Sequence, residues 1–216
     1  AVSYLINAIY FKGLWKYEFK ESETKDETFY LANGEMVKVP TMRQTQGHNY
    51  YVDEDVQVIE LPYGNGAFSM VLFIPADRKK KDIDKVIADL DVETWLNWNE
   101  NMHPVEVTVY LPRFLIKTEK ELIETMEALG IHDAFDSFNA NFANMSTAHD
   151  LYLGLLKQKT YIELNESGTE AAAVTIAGML ETAMPSQPAE IRFDHPFGYV
   201  LKEKSTGAIL FAGKVG

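Results

Sequence analysis

Residues 166–192, ESGTEAAAVTIAGMLETAMPSQPAEIR, fall into two halves of different character. From Thr169 through Ala171, Ala172, Ala173, Val174, Thr175 and Ile176 to Ala177 the side chains are small and compatible with a strand. The second half carries Pro185 and Pro188, which fix φ and remove donors, so it reads as extended and exposed. A helix competes for the first half. Ser167-Gly168-Thr169-Glu170 has the form of a capping box, and Ala171-Ala172-Ala173 is good helix-forming sequence. Pattern alone does not choose between strand and helix here.

Outside this stretch, strand patterns dominate. Residues 67–75 are almost continuously apolar and end at Pro75, the pattern of a strand buried on both faces. Val105, Val107, Val109 and Leu111 alternate with Glu106, Thr108 and Tyr110, which predicts a half-buried strand. Tyr161–Leu164 predicts another short strand. Residues 197–203 and 208–212 predict a hairpin through Lys204-Ser205-Thr206-Gly207. The opening residues 1–11, AVSYLINAIYF, read as a buried strand with no polar lead-in, and we expect sequence upstream of them.

Helices are fewer. Ile83, Val86, Ile87 and Leu90 follow helical spacing, and Val92, Trp95 and Leu96 suggest a second short helix. Thr118-Glu119-Lys120-Glu121 predicts a capping box opening a third, with Leu122, Met126 and Leu129 on one face and Gly130 as its stop. The class is therefore α+β, with large, mostly antiparallel or mixed sheets.

Of the 216 residues 46% are apolar and 24% charged, an ordinary globular composition. A formal charge of −12 argues against nucleic acid, which needs a basic face. The absence of cysteine excludes disulfides, thiolate metal sites and a thiol nucleophile. No run reaches the roughly 20 apolar residues of a membrane helix. His48, His103, His132, His149 and His195 show no metal-ligand spacing, and no nucleophile elbow, zinc-protease helix or phosphate loop is present, so neither a catalytic residue set nor a cofactor is expected. The basic run Arg78-Lys79-Lys80-Lys81 is short and reads as a solvated loop.

Glu166, Gly168, Thr169, Glu170, Ala171, Ala172 and Ala173 together resemble the reactive-loop hinge of inhibitory serpins. The resemblance extends along the whole chain in family order. Asn7-Ala8-Ile9-Tyr10-Phe11-Lys12-Gly13-Leu14-Trp15 resembles the family's central-strand motif, followed by Phe19, Thr24 and Phe29. Val37–Met42 and Leu111-Pro112-Arg113-Phe114 match further segments. Phe193-Asp194-His195-Pro196-Phe197 resembles the family signature, and Phe211-x-Gly213-x-Val215 its closing strand. Four departures stand out. The family's N-terminal helices and first strands have no counterpart here. Gly198 replaces an apolar residue. Gln158 stands where many members have histidine. The loop between hinge and signature is longer than usual.

The resemblance implies a multi-sheet α+β fold in which residues 1–216 are the C-terminal part of a single serpin domain, with a reactive loop at about 166–190. It implies a bait-and-trap inhibitor of serine or cysteine proteases, not an enzyme, secreted or extracytoplasmic. Its partners would be the target protease and the missing N-terminal part of the same serpin, with no nucleic acid or membrane. A non-inhibitory carrier, chaperone or storage member is the alternative, and its mark would be bulky or charged hinge residues, which this sequence lacks. Trp15 is implied at the "breach" where insertion begins, with an Arg113–Glu166 salt bridge beside it; Asn7 and Gln158 are implied at the "shutter". On a strand, Thr169, Ala171, Ala173, Thr175, Ala177 and Met179 would share one small-residue face.

Counting seventeen residues from Glu166 places the reactive bond at Thr182–Ala183, whereas counting back from Phe193 gives Pro185–Ser186. The first count follows the length of the inserting strand. It also avoids proline at the cut, and Thr182 suits the shallow pockets of elastase-like proteases. Met179–Leu180 is the competing site.

Overall fold

The structure is a computed structural model that describes residues 2–145, 151–169 and 188–216. Along the chain come β1 (Val2–Tyr10), β2 (Gly13–Leu14), β3 (Lys25–Tyr30), β4 (Met36–Val52), β5 (Val56–Tyr63) and β6 (Phe68–Pro75). Helices α1 (Ile83–Ala88) and α2 (Val92–Asn101) follow, then β7 (His103–Pro112), β8 (Phe114–Glu121), α3 (Ile123–Ala128) and β9 (Tyr152–Leu164). Last come β10 (Gly168–Thr169), β11 (Ala189–Arg192), β12 (Phe197–Glu203) and β13 (Ile209–Val215). Contacts divide the chain into two compact units, residues 1–11 with 115–163 and residues 12–114 with 164–216.

The larger unit is built on an eight-stranded sheet in the order β11-β7-β4-β5-β6-β12-β13, with β3 also paired to β4. β4 serves three partners along its length, β3 at Met36–Thr41, β7 at Thr41–Tyr50 and β5 at Asn49–Val52. β6 lies between β5 and β12 and is buried from Ser69 to Pro75, as its continuous apolar run predicts. The predicted hairpin is β12–β13. In β7, Val107, Val109 and Leu111 are buried, but so is Thr108, because β7 is an interior strand; the Thr108 hydroxyl meets that of Thr45 at 2.9 Å.

Helices α1 and α2 pack Ile83, Val86 and Trp98 against Val58, Val71, Phe73 and Val200. Full burial of each such side chain contributes roughly 1.5–3 kcal/mol. Asp82 and Asp91 cap the two helices by accepting from the backbone N–H groups of Lys85 and Thr94. Gly198 has a packing role, since a Cβ there would lie 2.1 Å from the Phe73 ring. The departure from the family signature thus makes room for an aromatic ring that also meets Trp98 at 5.4 Å.

Glu60 and His48 are buried titratable side chains of this unit. Glu60 accepts from Ser69 Oγ and Asn49 Nδ2, each at 2.7 Å, and pairs with Lys202 and Lys204 at 3.2 and 3.3 Å. Burial works against its ionisation, but these partners outweigh it and hold its pKa at about 2. His48 is 3% exposed, and neither ring nitrogen has a hydrogen-bond partner among the described residues. Burial pulls its pKa down to about 4, so it is neutral in the folded state at pH 7.

The smaller unit carries a three-stranded sheet, β1-β9-β8. β1 and β9 are parallel and directly paired, from Val2 opposite Tyr152 to Tyr10 opposite Tyr161. β9 begins nine residues before the predicted strand at Tyr161, because pairing with two neighbours carries the polar run Lys157-Gln158-Lys159 into the ladder. Two expectations are corrected here. β1 is a strand but not a buried one: Tyr4 is 67% and Ile6 57% exposed, since among the described residues little is laid over its apolar side chains. The capping box at Thr118–Glu121 does not exist either. Those residues belong to β8, where Glu119 pairs with Lys157 at 2.8 Å and Lys159 at 3.1 Å, and α3 begins at Ile123. The stop at Gly130 does form. Gly130 has φ +93°, Ile131 N–H donates to Met126 O and Gly130 N–H to Glu127 O, which is a Schellman cap.

The two buried groups predict separate acid windows for the larger unit. His48 is a base with a lowered pKa, so the unfolded chain takes up its proton first and stability falls as pH drops from about 6.5 to about 4. Glu60 is an acid with a lowered pKa, so its contribution is present above about 4.5 and is lost as pH falls towards about 2. Denaturant unfolding followed against pH should show His48→Phe flattening the first window and Glu60→Gln the second. Unchanged pH profiles in both variants would contradict these assignments.

The hinge and the candidate insertion site

Immediately after β9 the chain makes a tight turn. Asn165 and Gly168 exchange backbone bonds, Asn165 N–H to Gly168 O at 2.9 Å and Gly168 N–H to Asn165 O at 3.1 Å. The Asn165 side-chain oxygen accepts from Ser167 N–H at 3.1 Å. Gly168 has φ +129°, and a Cβ there would lie 2.3 Å from Gly13 O. Only glycine satisfies both the backbone and the close approach. The turn lays Gly168 and Thr169 antiparallel to Leu14 and Gly13, so strand, not helix, is the outcome where the structure describes the hinge.

Trp15 organises this corner. Its backbone N–H donates to Ser167 O at 2.8 Å, and its indole N–H donates to Asn165 O at 3.0 Å. Its ring stacks on Tyr63 with centroids 4.3 Å apart and meets the Phe19 edge at 6.3 Å. Tyr63 in turn shares a 3.0 Å hydroxyl contact with Thr169, which is fully buried. Burial raises the Tyr63 phenol pKa, so it stays a neutral partner.

Glu166 is 5% exposed. Arg113 Nε donates to both its carboxylate oxygens at 2.9 Å, and Nη2 donates to Oε1 at 2.6 Å. Thr24 Oγ1 donates to Oε1 as well. Burial opposes ionisation of Glu166, but the bonds from Arg113 and Thr24 prevail and hold its pKa below the ordinary carboxylate value. Glu166 O also accepts from Phe19 N–H at 2.9 Å, so the residue is tied at both ends.

In the smaller unit, Asn7 and Gln158 stand opposite each other across the β1–β9 ladder. Glu170, Ala171, Ala172, Ala173 and the Thr182–Ala183 bond lie outside the described residues. Nothing in the sequence singles out Tyr63 or the Thr24–Glu166 bond. Tyr63 comes from a strand more than a hundred residues before the hinge, and only the fold brings them together. Asn165 is itself the first residue of the turn that ends at Gly168, an Asn-x-x-Gly spacing visible in the sequence.

The ion pair makes a distinct prediction. Arg113→Ala leaves a buried carboxylate without its cation and should cost roughly 1–3 kcal/mol. The double variant Arg113→Ala/Glu166→Gln should recover part of that loss in thermal unfolding. Equal losses in single and double variants would show that pairing of the buried charge is not what holds Glu166.

The family model for serpins (serine protease inhibitors) matches residues 1–216. The chain is 36% identical, over 98% of its length, to a serine protease inhibitor of Cyanea capillata, and covers 56% of that protein. It is 35% identical over 98% of its length to leukocyte elastase inhibitor A of Mus musculus, covering 57% of it. Among solved structures, native protease nexin-1 with heparin superposes with a TM-score of 0.83 at 32% identity, covering 97% of this chain and 54% of that one. Uncleaved ovalbumin gives 0.81 at 29% identity, with 97% and 52% covered. The chain spans little more than half the length of these relatives. With a family match over every residue, and a hinge turn whose Gly168, Glu166 and Trp15 make the contacts described above, the chain belongs to the serpin family.

Proposed function

We propose that the protein inhibits serine proteases, or cysteine proteases, by suicide-substrate trapping. The observation that carries this reading is the parallel, directly paired β1 and β9 with the hinge turn at the end of β9. A segment that reverses after β9 runs antiparallel to it, and therefore antiparallel to β1 as well. Slid between them, it exchanges one ladder for two, a net gain of inter-strand hydrogen bonds. Insertion of a reactive loop into a sheet is an established instance of strand addition.

The protease nucleophile attacks the Thr182 carbonyl, the Ala183 nitrogen takes up a proton and leaves as the amine, and an acyl-enzyme, an ester for a serine protease or a thioester for a cysteine protease, joins Thr182 to the protease. Insertion then has to outrun hydrolysis of that acyl-enzyme. Ala171, Ala173, Thr175 and Ala177 are small enough to enter between parting strands. Thr182 suits a protease with a shallow, elastase-like pocket. The apolar faces of β1 support a further reading, that another segment of the same serpin, outside this chain, covers the smaller sheet. A secreted or extracytoplasmic site of action goes with this proposal.

Thr169 is already packed against Tyr63 before any insertion, so Thr169→Arg would disturb the anchored hinge itself. Ala173→Arg is the cleaner test, because it shares the inserting face with Thr169 on a strand. Wild-type protein should form an SDS-stable, near one-to-one complex with an elastase-like serine protease and release a peptide beginning at Ala183. Ala173→Arg should be cleaved at the same bond without a stable complex, since its charge must be desolvated unpaired. Trapping by the variant as efficient as by wild type would refute the insertion mechanism, and a different released N-terminus would refute the bond.

A further inference from the structure

His48 is a buried base that the trapping chemistry does not use. It sits on β4, 3% exposed, and neither ring nitrogen has a hydrogen-bond partner among the described residues. Its ring meets that of Tyr17 edge-on, with centroids 5.9 Å apart and planes at 74°. Opposite it on β7 stands Val105, which is apolar. Two positions along the same face of β4 is Tyr50, whose hydroxyl donates to Gln57 Oε1 at 2.9 Å. Glu60, opposite Asn49, and Glu106, opposite Gly47, belong to the other face of the sheet. Lys16 Nζ lies 5.4 Å from the centre of the Tyr17 ring, a like charge for an imidazolium. Burial alone, with no charged partner, lowers the basicity of His48.

Tyr17 belongs to a segment that holds the hinge. On one side of it Trp15 N–H donates to Ser167 O at 2.8 Å, and on the other Phe19 N–H donates to Glu166 O at 2.9 Å. Between them Lys16 N–H donates to Pro62 O at 2.8 Å. The Tyr17 ring thus joins His48 to two backbone bonds on the hinge. A neutral imidazole fits that place as an aromatic ring. An imidazolium brings a full charge and two N–H donors. With no acceptor in place it has to gain water, and the half-buried Tyr17 is the packed side chain that can give way. Movement of Tyr17 pulls on the bonds to Ser167 and Glu166 at either side.

We propose that His48 and Tyr17 form an acid-sensitive latch on the hinge, in which protonation of His48 displaces Tyr17 and frees residues 15–19 from Ser167 and Glu166. The latch belongs to the folded hinge and holds whether or not the loop traps a protease. Its test is hydrogen exchange of the intact protein at the Trp15 and Phe19 amides, corrected for the intrinsic pH dependence of exchange. A histidine that titrates at about 4 when latched and near its ordinary 6.5 when released favours release roughly thirtyfold more at pH 5 than at pH 7.5. Protection of Trp15 and Phe19 should fall by that factor. The exchange at pH 5 should also be nearly insensitive to low urea, because local release exposes little surface, whereas the amides of β6 should follow urea steeply. His48→Phe and His48→Gln cannot take up the proton, so whichever of them folds should keep Trp15 and Phe19 equally protected at both pH values. Unchanged protection in the wild-type protein at pH 5 overturns the latch. So does a urea slope at Trp15 and Phe19 equal to that of β6, which marks unfolding of the whole unit, and so does the same thirtyfold fall in either variant.

Discussion

Trp15 and the turn at Asn165–Gly168 hold each other, and the pairing of Gly168 and Thr169 with β2 depends on that contact. The tryptophan uses both of its N–H groups on carbonyls of the turn and its ring on Tyr63. The turn answers with a glycine at φ +129° that lets the backbone come against Gly13. Glu166, inside the same turn, is clamped by Arg113 and Thr24 and by Phe19 N–H. A carboxylate buried to this degree is tolerable only because its lone pairs are taken up by an arginine fork and a hydroxyl. Residues Glu166 to Thr169 are therefore anchored at several points.

The two sheets are provided for differently. The larger one packs an apolar core, with β6 buried from Ser69 to Pro75 and Phe73 fitted over Gly198. The smaller one holds β1 and β9 together through nine paired positions while β1 remains exposed along most of its length. A strand held mainly by one ladder separates from its neighbour at lower cost than one buried on both faces.

Much of this was legible locally. The apolar run of β6, the β12–β13 hairpin and the Gly130 stop are direct consequences of side-chain periodicity and glycine conformation. Local pattern misleads where a segment has a partner far away in sequence. Thr118–Glu121 has the composition of a helix start, yet Glu119 is drawn into β8 by Lys157 and Lys159. Residues 157–159 look too polar for a strand interior, yet β9 runs through them because it has neighbours on both sides.

The sequence by itself determined the family, the α+β class and the small-residue character of the hinge, because each is written in residues adjacent along the chain or in motifs whose order can be read in one dimension. Only the tertiary structure decided that Thr169 is buried against Tyr63, that Glu166 is enclosed by Arg113 and Thr24, and that β1 and β9 are immediate neighbours. Those contacts join residues dozens to more than a hundred and fifty positions apart. Their energies come from desolvation and hydrogen-bond geometry, which exist only once the strands have been brought together in space.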